Sequence, residues 1–111
     1  IGAMQAVTIG ANQSTNVGAN ESTSIGANES RSVSKSRTTD IGKEDTLKVG
    51  KNLMVEAGES ILLKTGSASI LLKKDGTVQI KGKDITIDGS GKINVKASGN
   101  ITMKGSKILQ N

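Results

Sequence analysis

A handful of short patterns in this 111-residue chain have the residue types and spacing that chemistry uses. Asn12-Gln13-Ser14, Asn20-Glu21-Ser22, Asn28-Glu29-Ser30 and Asn100-Ile101-Thr102 match the acceptor for N-glycosylation. Asp84 with Asp88-Gly89-Ser90-Gly91 has the oxygens and glycines of a calcium loop. Gly42-Lys43, Gly50-Lys51, Gly82-Lys83 and Gly91-Lys92 carry the glycine-lysine step of a phosphate cradle. Glu44 with Asp45, and Glu56 with Glu59, are carboxylate pairs of the kind that acid–base catalysis uses in a cleft.

None of these patterns completes its site. The first three sequons restate one eight-residue unit, and no export signal accompanies them. The acidic segment lacks the three spaced ligands before its glycine and the closing glutamate of an EF-hand. The glycine-lysine steps lack the earlier glycine and the Ser or Thr after the lysine. The chain has no His and no Cys, which removes the usual neutral-pH base, thiolate chemistry, disulfides and the commonest metal ligands. Without Phe, Tyr or Trp it also lacks the stacking platform of single-strand nucleic-acid binders. The expectation is a non-enzyme with no cofactor, no metal and no nucleic-acid partner.

What positions all these residues is a repeat. Residues 7–30 read Val-Thr-Ile-Gly-Ala-Asn-Gln-Ser, Thr-Asn-Val-Gly-Ala-Asn-Glu-Ser and Thr-Ser-Ile-Gly-Ala-Asn-Glu-Ser, so the chain builds by adding one small unit. An apolar residue followed by Gly recurs every eight positions, at Ile1-Gly2, Ile9-Gly10, Val17-Gly18, Ile25-Gly26, Ile41-Gly42 and Val49-Gly50. Ala57-Gly58 and Thr65-Gly66 continue the series, and only Val33-Ser34 omits the glycine. Two residues earlier sit Val7, Thr15, Thr23, Arg31, Thr39, Leu47, Val55 and Leu63, the period-two alternation of a half-buried strand. Each octad reads as one short strand and one corner, with Gly10, Gly18, Gly26, Gly42, Gly50, Gly58 and Gly66 supplying a bend or a positive φ.

After Thr65 the strand pairs become aliphatic: Ile70 and Leu72, Val78 and Ile80, Ile85 and Ile87, Ile93 and Val95, Ile101 and Met103. Corners are expected at Asp75-Gly76, Lys81-Gly82, Asp88 to Gly91, Ala97 to Gly99 and Lys104-Gly105. The division is therefore 1–66, regular polar octads, and 67–111, a less regular, Lys-rich and aliphatic stretch that should be drier and stiffer. Residues 1–60 carry six Lys or Arg against seven Asp or Glu, and residues 61–111 carry nine Lys against three Asp. A lysine-studded surface that keeps strand edges soluble accounts for this excess.

Only 33% of the residues are hydrophobic, too few for a chain this short to offset its conformational entropy alone, which points either to disorder or to burial shared among several chains, and the repeat favours sharing. A strand of five or six residues spans about 17–20 Å, one face of a narrow prism, and three octads close a triangle. The expected fold is all-β, an intertwined triple-stranded β-helix of three chains. About 13 octads at about 4.8 Å each give a rod near 60 Å. The core and trimer contacts are expected from Val7, Ile9, Val17, Ile25, Val33, Ile41, Leu47, Val49, Val55, Leu63, Ile70, Leu72, Val78, Ile80, Ile85, Ile87, Ile93, Val95, Ile101 and Met103. Inward Thr15, Thr23, Arg31 or Thr39, each present three times around such an axis, leave room for an axial ion or trapped water. Ile1 is no initiator methionine and already holds a repeat position, so the chain is expected to continue upstream.

The octads, followed by the run from Ile80 through Lys81-Gly82-Lys83-Asp84-Ile85-Thr86-Ile87-Asp88 to Ala97-Ser98-Gly99, resemble the carboxy-terminal needle of VgrG, the spike of bacterial type VI secretion. That resemblance implies a homotrimeric β-helix on a contractile tail tube, reached through an upstream region. It implies assembly in the bacterial cytoplasm, injection into a target envelope with transient membrane contact, and a PAAR-repeat protein or effectors carried on the blunt tip. Met103, Ile108 and Leu109 would form the tip platform. The Gly-less octad with Arg31, Ser34, Lys35 and Arg37 departs from the pattern. A phage baseplate needle of the same fold is the first alternative. The head of a trimeric autotransporter adhesin is the second, and it leaves the Lys-rich alternation after Ile80 unexplained. Ice binding by threonine rows is a weaker third, because no regular Thr-X-Thr ladder persists.

Overall fold

The octad is visible as a backbone rhythm. In the computed structural model, which describes residues 4–111, the chain bends at residues 10–11, 18–19, 26–27, 34–35, 42–43, 50–51 and 58–59, every eight residues without a slip. Ile1-Gly2, the first repeat position, lies outside the described residues. Between bends run six-residue extended segments whose backbone has no strand partner within the chain.

The octad corners do not use positive φ. Among the described residues only Gly66 and Gly76 have it, at 54° and 94°. Of the two forms expected at Gly10, Gly18, Gly26, Gly42, Gly50 and Gly58, a bend or a positive φ, the structure has the bend. Ser34 shows the same thing directly, because the bend at 34–35 forms with no glycine in it.

The chain divides into two units, Ile1–Leu47 and Lys48–Asn111. The described part of the first consists of octads alone. The second contains all the strands found among the described residues: β1 (Ser60–Thr65), β2 (Ala68–Lys73) and β3 (Val78–Lys81), in the order β1-β2-β3. Both neighbouring pairs are antiparallel, so this is a meander and not three more parallel octads. Leu63 faces Ile70 and Ile61 faces Leu72 across the first pair; Ile70 faces Ile80 and Leu72 faces Val78 across the second. No helix occurs among the described residues, and the fold is all-β.

Two tight turns cause the reversal. Thr65 and Ala68 are partners, which leaves a two-residue loop of Gly66 and Ser67 with positive φ only at Gly66, the pattern of a type II′ hairpin. Its twist matches that of paired strands, so the chain returns on itself where an octad corner would carry it onward. At the second turn the Gly76 N–H donates to the Lys73 carbonyl at 3.1 Å and the Lys73 N–H to the Thr77 carbonyl at 2.9 Å. Asp75 locks this turn by accepting the Thr77 N–H at 3.0 Å on its carboxylate. The reading of Thr65-Gly66 as another octad corner is thus replaced by a hairpin. Ile70 with Leu72 and Val78 with Ile80 keep their alternation but sit on antiparallel strands.

Beyond the meander the bends resume at 83–84, 90–91, 98–99 and residue 106. Corners expected at Lys81-Gly82 and Lys104-Gly105 therefore fall just after those dipeptides, while the Gly91 and Ser98-Gly99 corners stand where the sequence puts them.

Candidate interaction surface

Each six-residue segment between corners has three positions on one face, because side chains alternate. In the octads before the meander the last of these, immediately before the corner, is Ile9, Val17, Ile25, Val33, Ile41 or Val49. Their exposures fall in a narrow band, 45% to 50%, so one environment repeats along the chain. The middle position is more exposed: Val7, Leu47 and Val55 stand at 67% to 71%. After the meander the apolar pair moves back by two residues. Ile85, Ile93 and Ile101 now occupy the first position of the face, and Ile87, Val95 and Met103 the middle one. Before the meander the corner-side residue is thus the constant apolar feature, since the middle position also takes Thr15, Thr23, Arg31 and Thr39; after it the middle position is apolar and its partner stands at the start of the segment.

No side chain among the described residues is buried, hydrophobic or polar. Even in the meander only Ile61, Ser69 and Leu71 are half-buried. Fully burying one aliphatic side chain is worth about 1.5–3 kcal/mol, and ordering one residue's backbone costs roughly 1–2 kcal/mol. With nothing fully buried, the chain cannot offset that cost by its own contacts, and its apolar rows must be covered by other chains.

The corner glycines carry the same message. A β-carbon built on Gly10, Gly18, Gly26, Gly42, Gly50 or Gly58 meets nothing within 4 Å, and none has a strained φ. Neither local geometry nor the chain's own packing requires glycine at these sites. Later glycines differ: a β-carbon on Gly89 would lie 2.9 Å from Ile93 Cγ1, and one on Gly82 would lie 3.4 Å from Ile85 Cγ1.

The polar candidates stay apart. Arg31 pairs with Glu29 at 3.6 Å and Lys74 with Glu59 at 3.9 Å, both on open surface where such pairs are worth about 0–1 kcal/mol. Thr15, Thr23 and Thr39 are exposed, and so are Glu44, Asp45 and Glu56. Among the described residues no three acidic side chains gather as a metal cluster, and no helix is long and apolar enough to cross a membrane. The Thr77 backbone N–H holds the Asp75 carboxyl below the usual aspartate range. Met103 and Leu109 are strongly exposed and Ile108 somewhat less so.

Sequence reading missed the meander. Its signal is a doubled pentapeptide, Ser-Ile-Leu-Leu-Lys at 60–64 and again at 69–73, separated by Thr-Gly-Ser-Ala. A repeat offset of nine instead of eight, around a Gly-Ser step, is a hairpin signature.

Comparison with known proteins gives one family. The sequence model of the bacteriophage T4 gp5 C-terminal trimerisation domain matches residues 1–70, which take in the octads, β1 and the first half of β2. Among curated proteins none matches the chain.

Proposed function

Since the chain belongs to the family of the bacteriophage T4 gp5 C-terminal trimerisation domain, which supports a homotrimer, we propose that it is the load-carrying needle segment of a contractile injection machine. In this reading three chains wind into a triple-stranded β-helix with the corner-side apolar row of the octads, and the Ile85 to Met103 pairs beyond the meander, turned inward. The observation that carries the proposal is the eight-residue rhythm of bends joined to apolar rows that no contact within the chain covers. Three chains pair every strand edge except those at the two ends, and a closed ladder of backbone hydrogen bonds resists axial load. Unwinding requires all three chains to separate, so the stability would be largely kinetic.

The segment works mechanically and catalyses nothing. It takes no cofactor; at most an axial ion or trapped water sits beside the inward Thr and Arg side chains. The owner we favour is a type VI secretion spike, assembled in the bacterial cytoplasm on a tail tube and driven into a target envelope. Its end at Met103, Ile108 and Leu109 would seat a PAAR-repeat tip protein, through which effectors ride. A phage baseplate needle is the second reading, favoured by the phage protein that gives the matching family its description.

Mixing the full chain with a PAAR-repeat protein and measuring complex formation tests the assignment. A complex lost on Leu109→Asp supports the type VI reading. A trimer that binds no such protein favours the phage reading.

A further inference from the structure

The meander is an amphipathic sheet. Register places Ile61, Leu63, Ile70, Leu72, Val78 and Ile80 on one face. The other face carries Lys64, Lys73, Lys81, Ser69 and Gln79 around Leu62 and Leu71. The apolar face has no charged residue, yet Leu63, Val78 and Ile80 are each about three-fifths exposed. Even Ile70 and Leu72, on the central strand, are about two-fifths exposed. A contiguous exposed apolar patch of this kind marks an interaction surface, so this face needs a cover. The chain itself supplies only a rim: Leu63, Ile70 and Ile80 line an open groove that Ile85 borders on one side.

From this we infer that the meander Ser60–Lys81 packs its apolar face against the same face of two further copies of the chain, forming a dry collar within the trimer. The inference rests on the trimeric reading and extends it to residues 71–81, which lie beyond the stretch that matches the trimerisation family. Continuity points to a second copy as the occupant. The match ends inside β2, so the trimer-forming region already contains Ile61, Leu63 and Ile70 of this face, and Leu72 and β3 extend it without a break. Charge agrees: lysines on the opposite face of every strand repel one another and stay in solvent, which leaves the apolar faces to meet. The meander also makes all the strand pairing found within the chain. Local hairpins close in about 1–10 μs, far sooner than three chains can wind together. A collar assembled from preformed meanders therefore fixes the register of the three chains.

The chain has no cysteine, which makes the test direct. Ile70→Cys, Leu72→Cys and Leu71→Cys are made singly in the full chain, treated with a short bis-maleimide and run on a denaturing gel, with the mass of each variant measured in solution by light scattering. Faces packed together lie about 10 Å apart, a span that the bis-maleimide bridges and a direct disulfide does not. The collar predicts a two-chain band for Ile70→Cys or Leu72→Cys and none for Leu71→Cys, with all three variants at three chains in solution. Three-chain mass without cross-linking at either apolar-face position overturns the collar and leaves the trimer standing, as does equal cross-linking at Leu71→Cys. Unmodified chain at the mass of a single copy overturns the trimer, and the collar with it.

Discussion

Gly58 and Gly66 stand eight residues apart at the same octad position, yet the backbone bends onward at Gly58 and reverses at Gly66, where φ is 54°. The difference sets two kinds of glycine apart. One is required by its own dihedral angle, and the other has no requirement visible within the chain.

Gly66→Ala should therefore loosen the first hairpin. A β-carbon in the left-handed region costs roughly 1–2 kcal/mol, and Gly66→Asn should recover part of this because Asn tolerates that region. Hydrogen exchange of the β1 and β2 amides measures it: faster exchange in Gly66→Ala is expected, and unchanged protection would refute the positive-φ requirement.

Gly18→Ala has open space and unstrained φ within one chain, so any destabilisation it causes must come from neighbouring chains. Ser34 at an equivalent bend shows that a β-carbon is accepted there, so unchanged thermal stability is the expected result, and a large loss would place a neighbouring chain against the corner. Gly26→Ser likewise reproduces what Ser34 already does at its own bend. It should keep the trimer with a change within about 1 kcal/mol.

Ile41→Asp separates a solitary chain from an assembly. At 50% exposure in a chain acting alone, the substitution would cost within about 0.5 kcal/mol. At a covered interface the buried charge costs several kcal/mol and dissociates the chains. Denaturant midpoints of both proteins distinguish the cases, and the account predicts the large loss.

Asp75 supplies a pH prediction. Its carboxylate accepts the Thr77 N–H, and that bond holds its pKa below the ordinary 3.8. A depressed carboxyl stabilises the fold above its unfolded pKa, and the contribution is lost as pH falls through the lower folded value. The second turn should thus weaken as pH falls below the ordinary aspartate range. Asp75→Asn should keep the acceptor and remove that acid sensitivity, which an NMR titration of the turn amides reads directly.

The octad period was legible because eight-residue spacing survives any reading of the side chains. The corners came through with it, including the one at Ser34. What sequence periodicity did not reveal was strand direction after Gly58. Alternation at Leu63, Ile70, Leu72, Val78 and Ile80 is the same whether the next strand stacks onward or folds back. The decision lies in two loop glycines, Gly66 before Ser67 and Gly76 after Asp75. A bend or a positive φ was expected at each octad corner; the bends are there, and among the described residues positive φ occurs only where the chain reverses. The apolar rows were equally plain, since Ile9, Val17 and Ile25 mark a face by spacing alone. What covers that face is a property of several chains, and a single sequence expresses it only as burial that is missing.

The central claim is that the apolar rows of Ile9 to Val49 are covered by two further copies of the same chain. Light scattering of the purified chain tests it most directly. The account predicts a solution mass of three chains, held across dilution because the chains are intertwined; a mass of one chain would contradict it.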